Sequence, residues 1–375
     1  MIRSAEPDDS VLNADERRVF RRRLLSWFAS AQRDLPWRTM RDPYRVWISE
    51  IMLQQTRVET VIPFFARFVN ALPNVASLAA ASEGRVLKLW EGLGYYSRGR
   101  NLHRGAQVVM EKYGGVIPLS TSELRTLPGI GRYTAAAIAS ICAGEAVAVL
   151  DGNVKRVIAR LFAIESSIDD RSTDARLWKL AEALVSPTRP GDHNEAMMEL
   201  GATICVPRSP HCDRCPVHKH CRAFAAHVQN DLPIRATRRA IPTERWAAAL
   251  LQRGNRTLLV QRPSSGLFAG MWDLPNVVLS GNERGRTKLI NWLLMRCDLP
   301  DIALKKKGRV EHVLTHKRIL LDVYAAKPGV DAAQDALTRG QQDTAAAWVQ
   351  LPREDISMSV LMQKALAFSG RARSP

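Results

Sequence analysis

The sequence lacks any apolar run approaching the roughly 20 residues that a membrane-crossing helix needs, which excludes a helical membrane protein. Its first residues, MIRSAEPDDS, lack the basic-then-apolar order of a secretory leader, so a cytoplasmic location is expected, with the nucleoid if the source is bacterial. There is no internal repeat and no low-complexity tract, so neither a solenoid nor a biased tail is expected. Acidic residues are in deficit: 37 Asp and Glu stand against 54 Lys and Arg, a formal net charge of +17 that favours a polyanionic partner such as nucleic acid. Cysteine is scarce as well. Of six cysteines in 375 residues, Cys142 and Cys297 stand alone in apolar helical surroundings and read as buried packing residues.

The other four, Cys205, Cys212, Cys215 and Cys221, crowd into one short stretch. In the cytoplasmic location expected above, such a cluster points to metal before it points to disulfides. Thiolates suit both zinc and iron–sulfur clusters, and His211, His218 and His220 would offer zinc alternative ligands, so this chemistry leaves both open.

A length of 375 residues suits two domains. From about residue 16 to 225 apolar residues recur at helical spacing, as in Ile48, Ile51, Met52 and Val58, which predicts an almost all-α domain over 1–227. Residues 228–245 carry two prolines, several charges and little periodicity, and read as an extended linker. Beyond them WAAALLQ, RTLLVQRP and RILLDVYAA read as strands and TKLINWLLMRC as a helix, which predicts a smaller α+β domain over 246–375. The shorter carboxyl part carries the larger basic surplus.

Three local patterns carry chemistry. In LPGIGRYTA, 127–135, two glycines around one apolar residue allow a tight turn between helices (about 124–142), whose amides at Gly129 and Gly131 and the following helix start suit a phosphate. AVAVL runs into Asp151-Gly152-Asn153 before a helix near Val154; either side chain could cap that helix, and a carboxylate beside helix amides is expected to stay ionised and able to serve a sugar oxocarbenium. In WISEIMLQQT, 47–56, a helix through the whole segment would align Glu50 with Val46, Leu53 and Arg57, a partly apolar stripe on which its carboxyl could be desolvated into a proton donor. A proton donor and an ionised carboxylate are what glycosidic cleavage requires.

LPWR at 35–38, SEIMLQQT at 49–56, GLGYYSRGRNL at 92–102, LPGIGRYTA, LDGNVKRV at 150–157 and the cysteine loop together resemble the MutY family of adenine DNA glycosylases over nearly all of residues 20–225. That resemblance implies a mainly α helix-hairpin-helix glycosylase domain, a six-helix barrel plus a helical lobe whose cysteines at 205–221 hold a [4Fe–4S] cluster. It implies Glu50 as general acid, Asp151 supported by Asn153 at the sugar, and Tyr133 beside them. Arg33, Trp37, Arg38, Leu53 and Glu195 match its adenine pocket; Gln54, Gln55, Thr56, Leu93, Tyr95, Arg98, Gly129 and Gly131 match its DNA contacts. A monomer acting on double-stranded DNA with A:8-oxoguanine or A:G mispairs follows, with no membrane association. The carboxyl part resembles the family's Nudix-like domain through GLFAGMWDLP and HVLTHKRI, with Thr315 and His316 at the positions that read 8-oxoguanine. No acidic REx(2)E-like run follows Leu274, so that domain should bind rather than hydrolyse. An endonuclease III-type glycosylase/lyase would need a lysine where Tyr133 stands; a non-catalytic DNA-binding homologue would tolerate loss of Glu50 or Asp151.

Overall fold

Helix signals dominate the first two-thirds of the chain, and a computed structural model shows the elements they build. It describes residues 12–237, 240–297, 299, 302–326, 345–353 and 356–369. Packing divides the chain into two units: Met1–Ala79 with Arg104–Arg238, and Ala80–His103 with Arg239–Pro375.

The first unit is helical. Ala14–Ala31 starts at a reciprocal box in which the Asn13 side chain accepts from Glu16 N and Glu16 accepts from Asn13 N. Pro43–Leu53 starts at Asp42, whose Oδ1 accepts from Arg45 N at 2.8 Å, with Pro43 at the first helical position where its missing N–H costs nothing. Arg132–Ala143, Gly152–Leu161, Arg171–Leu184 and Pro190–Thr203 complete the frame around the candidate site.

Two close approaches lock this frame. A Cβ on Gly191 would lie 2.7 Å from Ser140 O and 2.9 Å from Ile141 Cα, so Pro190–Thr203 can meet Arg132–Ala143 only through a glycine. A Cβ on Gly201 would lie 2.7 Å from Asn153 Cβ, which presses the other end of the same helix against the Asp151–Asn153 turn. Asn194 ties the frame together: its Nδ2 donates to Ser140 Oγ and Val147 O, each at 2.8 Å, and its Oδ1 accepts from Val149 N at 3.3 Å. The AVAVL run thereby gains backbone partners without being a strand.

The second unit is built on a mixed seven-stranded sheet with helices beside it: β1 (Thr243–Arg253), β2 (Arg256–Gln261), β3 (Trp272–Asp273), β4 (Asn276–Leu279), β5 (Lys305–Val313), β6 (Arg318–Ala326) and β7 (Ala346–Gln350). β1 pairs parallel with β6 in the register Trp246↔Leu321, and six successive residues of β1 are buried, as a central strand covered on both faces requires. The helix Gly285–Cys297 lays Leu289, Leu293 and Cys297 against Ala247, Ala249 and Leu251. Residues 80–103 belong to this unit. Arg100 Nη1 donates to Ala269 O at 2.5 Å, and Met358 N donates to Glu91 Oε1 at 2.9 Å. Among the described residues, no helix is long and apolar enough to cross a membrane.

Candidate active site

A cavity of about 990 Å³ opens in the helical unit, and Glu50, Tyr133, Asp151, Asn153, Glu195, Arg33, Trp37, Arg38, Leu53, Gln54, Gln55 and Thr56 all line it. Glu50 arrives there because Pro43–Leu53 is buried on nearly every side: Tyr44 and the whole run Val46–Met52 are buried, and Glu50 is 5% exposed. The helix ends earlier than the sequence suggested. Gln55 adopts φ 58°, turning the chain so that Arg57 becomes the cap of the next helix, Val58–Ala71, instead of a stripe-mate of Glu50. Desolvation of Glu50 therefore comes from burial of its own helix and from the helix packed across it.

That burial pushes the Glu50 carboxyl from 4.5 up to about 7; the negative charges of Asp151 and Glu195 add to the rise, while a hydrogen bond from Tyr133 and the charge of Arg38 oppose it. The Tyr133 O–H donates to Glu50 Oε2 at 2.7 Å. Burial first, then the neighbouring carboxylates, push the Tyr133 phenol well above its ordinary range, so it stays a donor.

Asp151 caps Gly152–Leu161, with Oδ1 accepting from Val154 N at 2.7 Å and Oδ2 from Asn153 Nδ2 at 3.2 Å. The helix amides expected to keep it ionised do not act alone. Burial is the largest influence and raises its pKa above the ordinary value, against the bonds from Val154 and Asn153 and the charge of Arg156. Behind it, Arg156 Nη2 donates to Asn153 Oδ1 at 2.9 Å and to Gly201 O at 2.7 Å, while its Nε donates to Cys205 O at 2.7 Å.

The pocket wall contains a residue that motif reading missed. Glu199 is fully buried and clasped by Arg33 Nε at 2.7 Å and Arg38 Nη2 at 2.9 Å, while Arg38 Nε reaches Glu195 at 3.1 Å. Burial acts most strongly on Glu199 and would raise its pKa, but the combined bonds and charges of the two arginines hold it below the ordinary value. Two carboxylates four residues apart in EAMMEL lie on one helix face, the available sequence signal. Arg41 joins the rim through an ion pair to Asp192. Gln54 Nε2 donates to Thr134 Oγ1 at 3.2 Å, holding the end of Pro43–Leu53 to Arg132–Ala143. One lysine lines the cavity among the described residues: Lys155, ion-paired with Asp174.

In the hairpin, Gly129 adopts φ 80° and Gly131 caps Arg132–Ala143, a helix whose start no side chain caps. Leu93, Tyr95 and Arg98 lie in the other unit. Tyr95 is exposed at φ 48°, Leu93 is buried, and the Arg98 guanidinium lies over the Trp90 and Tyr95 rings and donates to Leu93 O and Gly94 O, with burial lowering its pKa to about 10. Thr315 and His316 are exposed in the β5–β6 turn, which Leu314 N closes by donating to Lys317 O at 2.8 Å.

The four clustered cysteines line one small cavity together with Val157, Leu161 and His218. Arg160 braces their loop: its Nη1 donates to Cys205 Sγ at 3.3 Å and to Val206 O at 2.7 Å, its Nη2 to Pro207 O at 3.0 Å. Burial pushes the Cys215 thiol up to about 12 and Cys221 up to about 11. His220 packs edge-on against Phe20 and His218 against Phe224, so both rings are engaged in packing. Among the described residues no three His, Cys, Asp or Glu side chains form a group that could hold one metal ion, although all four clustered cysteines line the same small cavity. Cys297 is buried as expected, whereas Cys142 is only half-buried.

Comparison with known proteins agrees with this architecture. Residues 48–183 match the model of the HhH-GPD superfamily base excision DNA repair proteins, and residues 246–367 match a NUDIX domain model. The chain is 40% identical to the adenine DNA glycosylase of Mus musculus, over 82% of this chain and 70% of that protein, and 38% identical to that of Homo sapiens, over 85% and 71%. A solved thermostable thymine-DNA glycosylase is 31% identical and superposes with a TM-score of 0.51, covering 56% of this chain and 98% of that one.

Proposed function

The chain belongs to the adenine DNA glycosylase family, and from that premise we propose that it removes adenine mispaired with 8-oxoguanine or guanine in double-stranded DNA, as a monomer in the compartment that holds the DNA. It is a base-excision-repair enzyme acting on N-glycosyl bonds. One observation carries the mechanism: a buried carboxyl with a pKa near neutrality shares a cavity with a second carboxylate whose own bonds hold it in place.

In this reading the helical unit does the chemistry and the sheet unit reads the partner base; the linker expected over 228–245 ends before β1 starts at Thr243, and residues 80–103, expected in the helical domain, group with the sheet. Adenine leaves poorly as an anion. Glu50, protonated, gives its proton to a ring nitrogen of the flipped adenine as the bond between the base nitrogen and C1′ breaks. The electron pair of that bond leaves with the neutral base, and the positive charge on the sugar faces Asp151, where ionised oxygen stabilises the oxocarbenium until water adds at C1′ and gives its proton to one of the two carboxylates. Tyr133 orients Glu50, and Asn153 orients Asp151. The clamp of Arg33 and Arg38 on Glu199 shapes the base pocket, with Trp37 and Leu53 as its apolar walls. Gln54, Gln55, Thr56 and Tyr95 fill the stack, while Leu93, Arg98 and the hairpin amides of Gly129 and Gly131 support the strand. Thr315 and His316 bear on the oxidised base.

Four cysteines lining one cavity support a [4Fe–4S] cluster held by Cys205, Cys212, Cys215 and Cys221, which would stiffen the loop carrying Arg208 and Arg214; bound iron would keep the sulfurs as thiolates. The test is incubation with duplexes carrying A opposite 8-oxoguanine, A opposite T and oxidised thymine opposite A, with and without borohydride. Release of adenine from the first alone, with no trapped covalent complex, is expected. Excision of oxidised thymine with trapping through an amine would instead mark a lyase.

A further inference from the structure

The Tyr133 hydroxyl has two acceptors within reach and a single proton to give: Glu50 Oε2 lies at 2.7 Å and the sulfur of Met198 at 3.1 Å. Helical spacing brings Met198 there. In Pro190–Thr203 the residues Glu195, Met198, Glu199 and Ala202 stand three and four apart and all line the large cavity, whereas Met197 is buried in the packing behind them. Met198 itself is half-buried. A thioether is a weak acceptor and an ionised carboxylate a strong one, so the charge on Glu50 decides which of the two the hydroxyl serves. With Glu50 ionised, Tyr133 donates to it. With Glu50 protonated, the acid O–H donates to the phenol oxygen and the Tyr133 O–H turns to Met198 Sδ, which leaves no proton of the chain without an acceptor.

We propose that Met198 is a positioning residue for the proton donor: its sulfur holds the Tyr133 hydroxyl while Glu50 is an acid and releases it as Glu50 gives up its proton. The proposal rests on the reading of Glu50 as general acid. In the transfer the Glu50 proton goes to a ring nitrogen of adenine and the carboxyl keeps the bonding pair as carboxylate. Tyr133 keeps its own proton, and only its hydrogen bond moves, from sulfur to oxygen. A donor therefore arrives where negative charge develops, having been held off the acid beforehand. The other groups that act on Glu50 form a fixed background: burial and the charges of Asp151 and Glu195 raise its pKa, and Arg38, itself bonded to Glu195 and Glu199, lowers it. Cys142, whose thiol burial pushes up to about 12, stays neutral beside them.

Met198→Leu keeps the apolar volume and removes the acceptor. The experiment is an NMR titration of the Glu50 carboxyl in the DNA-free full chain, carrying isotope-labelled glutamate and with the signal assigned by its loss in Glu50→Gln. It compares the parent, Met198→Leu, Tyr133→Phe and the double variant. Losing the sulfur withdraws an acceptor that only the acid form uses, so the midpoint should fall by about half a pH unit in Met198→Leu. The same substitution made in Tyr133→Phe, where no hydroxyl is left to move, should shift nothing. Single-turnover adenine excision by Met198→Leu should then match the parent near about pH 5.5 and run about two- to threefold slower near about pH 7.5, where less of the acid survives. A midpoint within about 0.2 pH unit of the parent, or an equal shift on the Tyr133→Phe background, would overturn the proposal. The titration needs no DNA, so its outcome is separate from whether Glu50 protonates adenine, which excision by Glu50→Gln decides.

Discussion

Replacing Glu50 by glutamine should make the protein more stable as it disables it. Glutamine keeps the shape and keeps an oxygen to accept from Tyr133, but carries no charge at any pH. In the folded chain the Glu50 carboxyl is raised from 4.5 to about 7, so the folded state favours the protonated form. The sign follows: its contribution is fully present below about pH 4.5 and is lost as pH rises through about 7. At 1.36 kcal/mol per pH unit, the interval between those values corresponds to about 3 kcal/mol that the parent loses and Glu50→Gln does not. Urea unfolding of both proteins from pH 5 to 8 measures this. The advantage of the variant should grow from under about 1 kcal/mol at pH 5 to about 3 kcal/mol at pH 8. A difference that does not change with pH, or that favours the parent at pH 8, would refute burial as the origin of the raised carboxyl.

Glu199→Gln removes the carboxylate that both Arg33 and Arg38 hold, leaving guanidinium charge without its buried partner; it should cost about 3–5 kcal/mol of stability, and a loss below about 1 kcal/mol would show the clamp to be solvated. Thr315→Ala combined with His316→Ala should lower the preference for 8-oxoguanine over guanine by about tenfold while leaving saturated single-turnover excision opposite guanine unchanged, and equal discrimination by parent and variant would remove the hairpin turn from recognition. Point variants serve better here than truncation, which would strip Arg100 and Glu91 of their partners at Ala269 and Met358. Protein purified without oxygen should be brown and contain about four irons per chain, with Cys212→Ser reducing both iron and DNA binding; stoichiometric zinc without iron would sink the cluster assignment.

What could be read from the sequence was mostly local. Asp151 at a helix start, Gly129 in a turn, and four cysteines in one loop each advertise themselves within a few neighbours, because caps, positive φ and ligand spacing are short-range constraints. What escaped was set by distant contacts. Nothing near Gly201 announces that Asn153 presses on it, and nothing near Arg100 announces Ala269. The end of the Glu50 helix was missed because Gln55, not a glycine or proline, takes the left-handed turn. Asp151 shows the same limit in energetics: its capping bonds are visible in sequence, but the burial that outweighs them is a property of the assembled helices.

Single-turnover release of adenine from an A:8-oxoguanine duplex, by the parent and by Glu50→Gln at equal saturation, tests the central claim most directly. A positioned general acid contributes about 10²–10⁴-fold, so the variant should be slower by that factor while still binding the duplex. The parent's rate should fall as pH rises through about 7, the value burial gives Glu50. A Glu50→Gln rate within about threefold of the parent, with the same pH profile, would contradict the account and return Glu50 to a structural role.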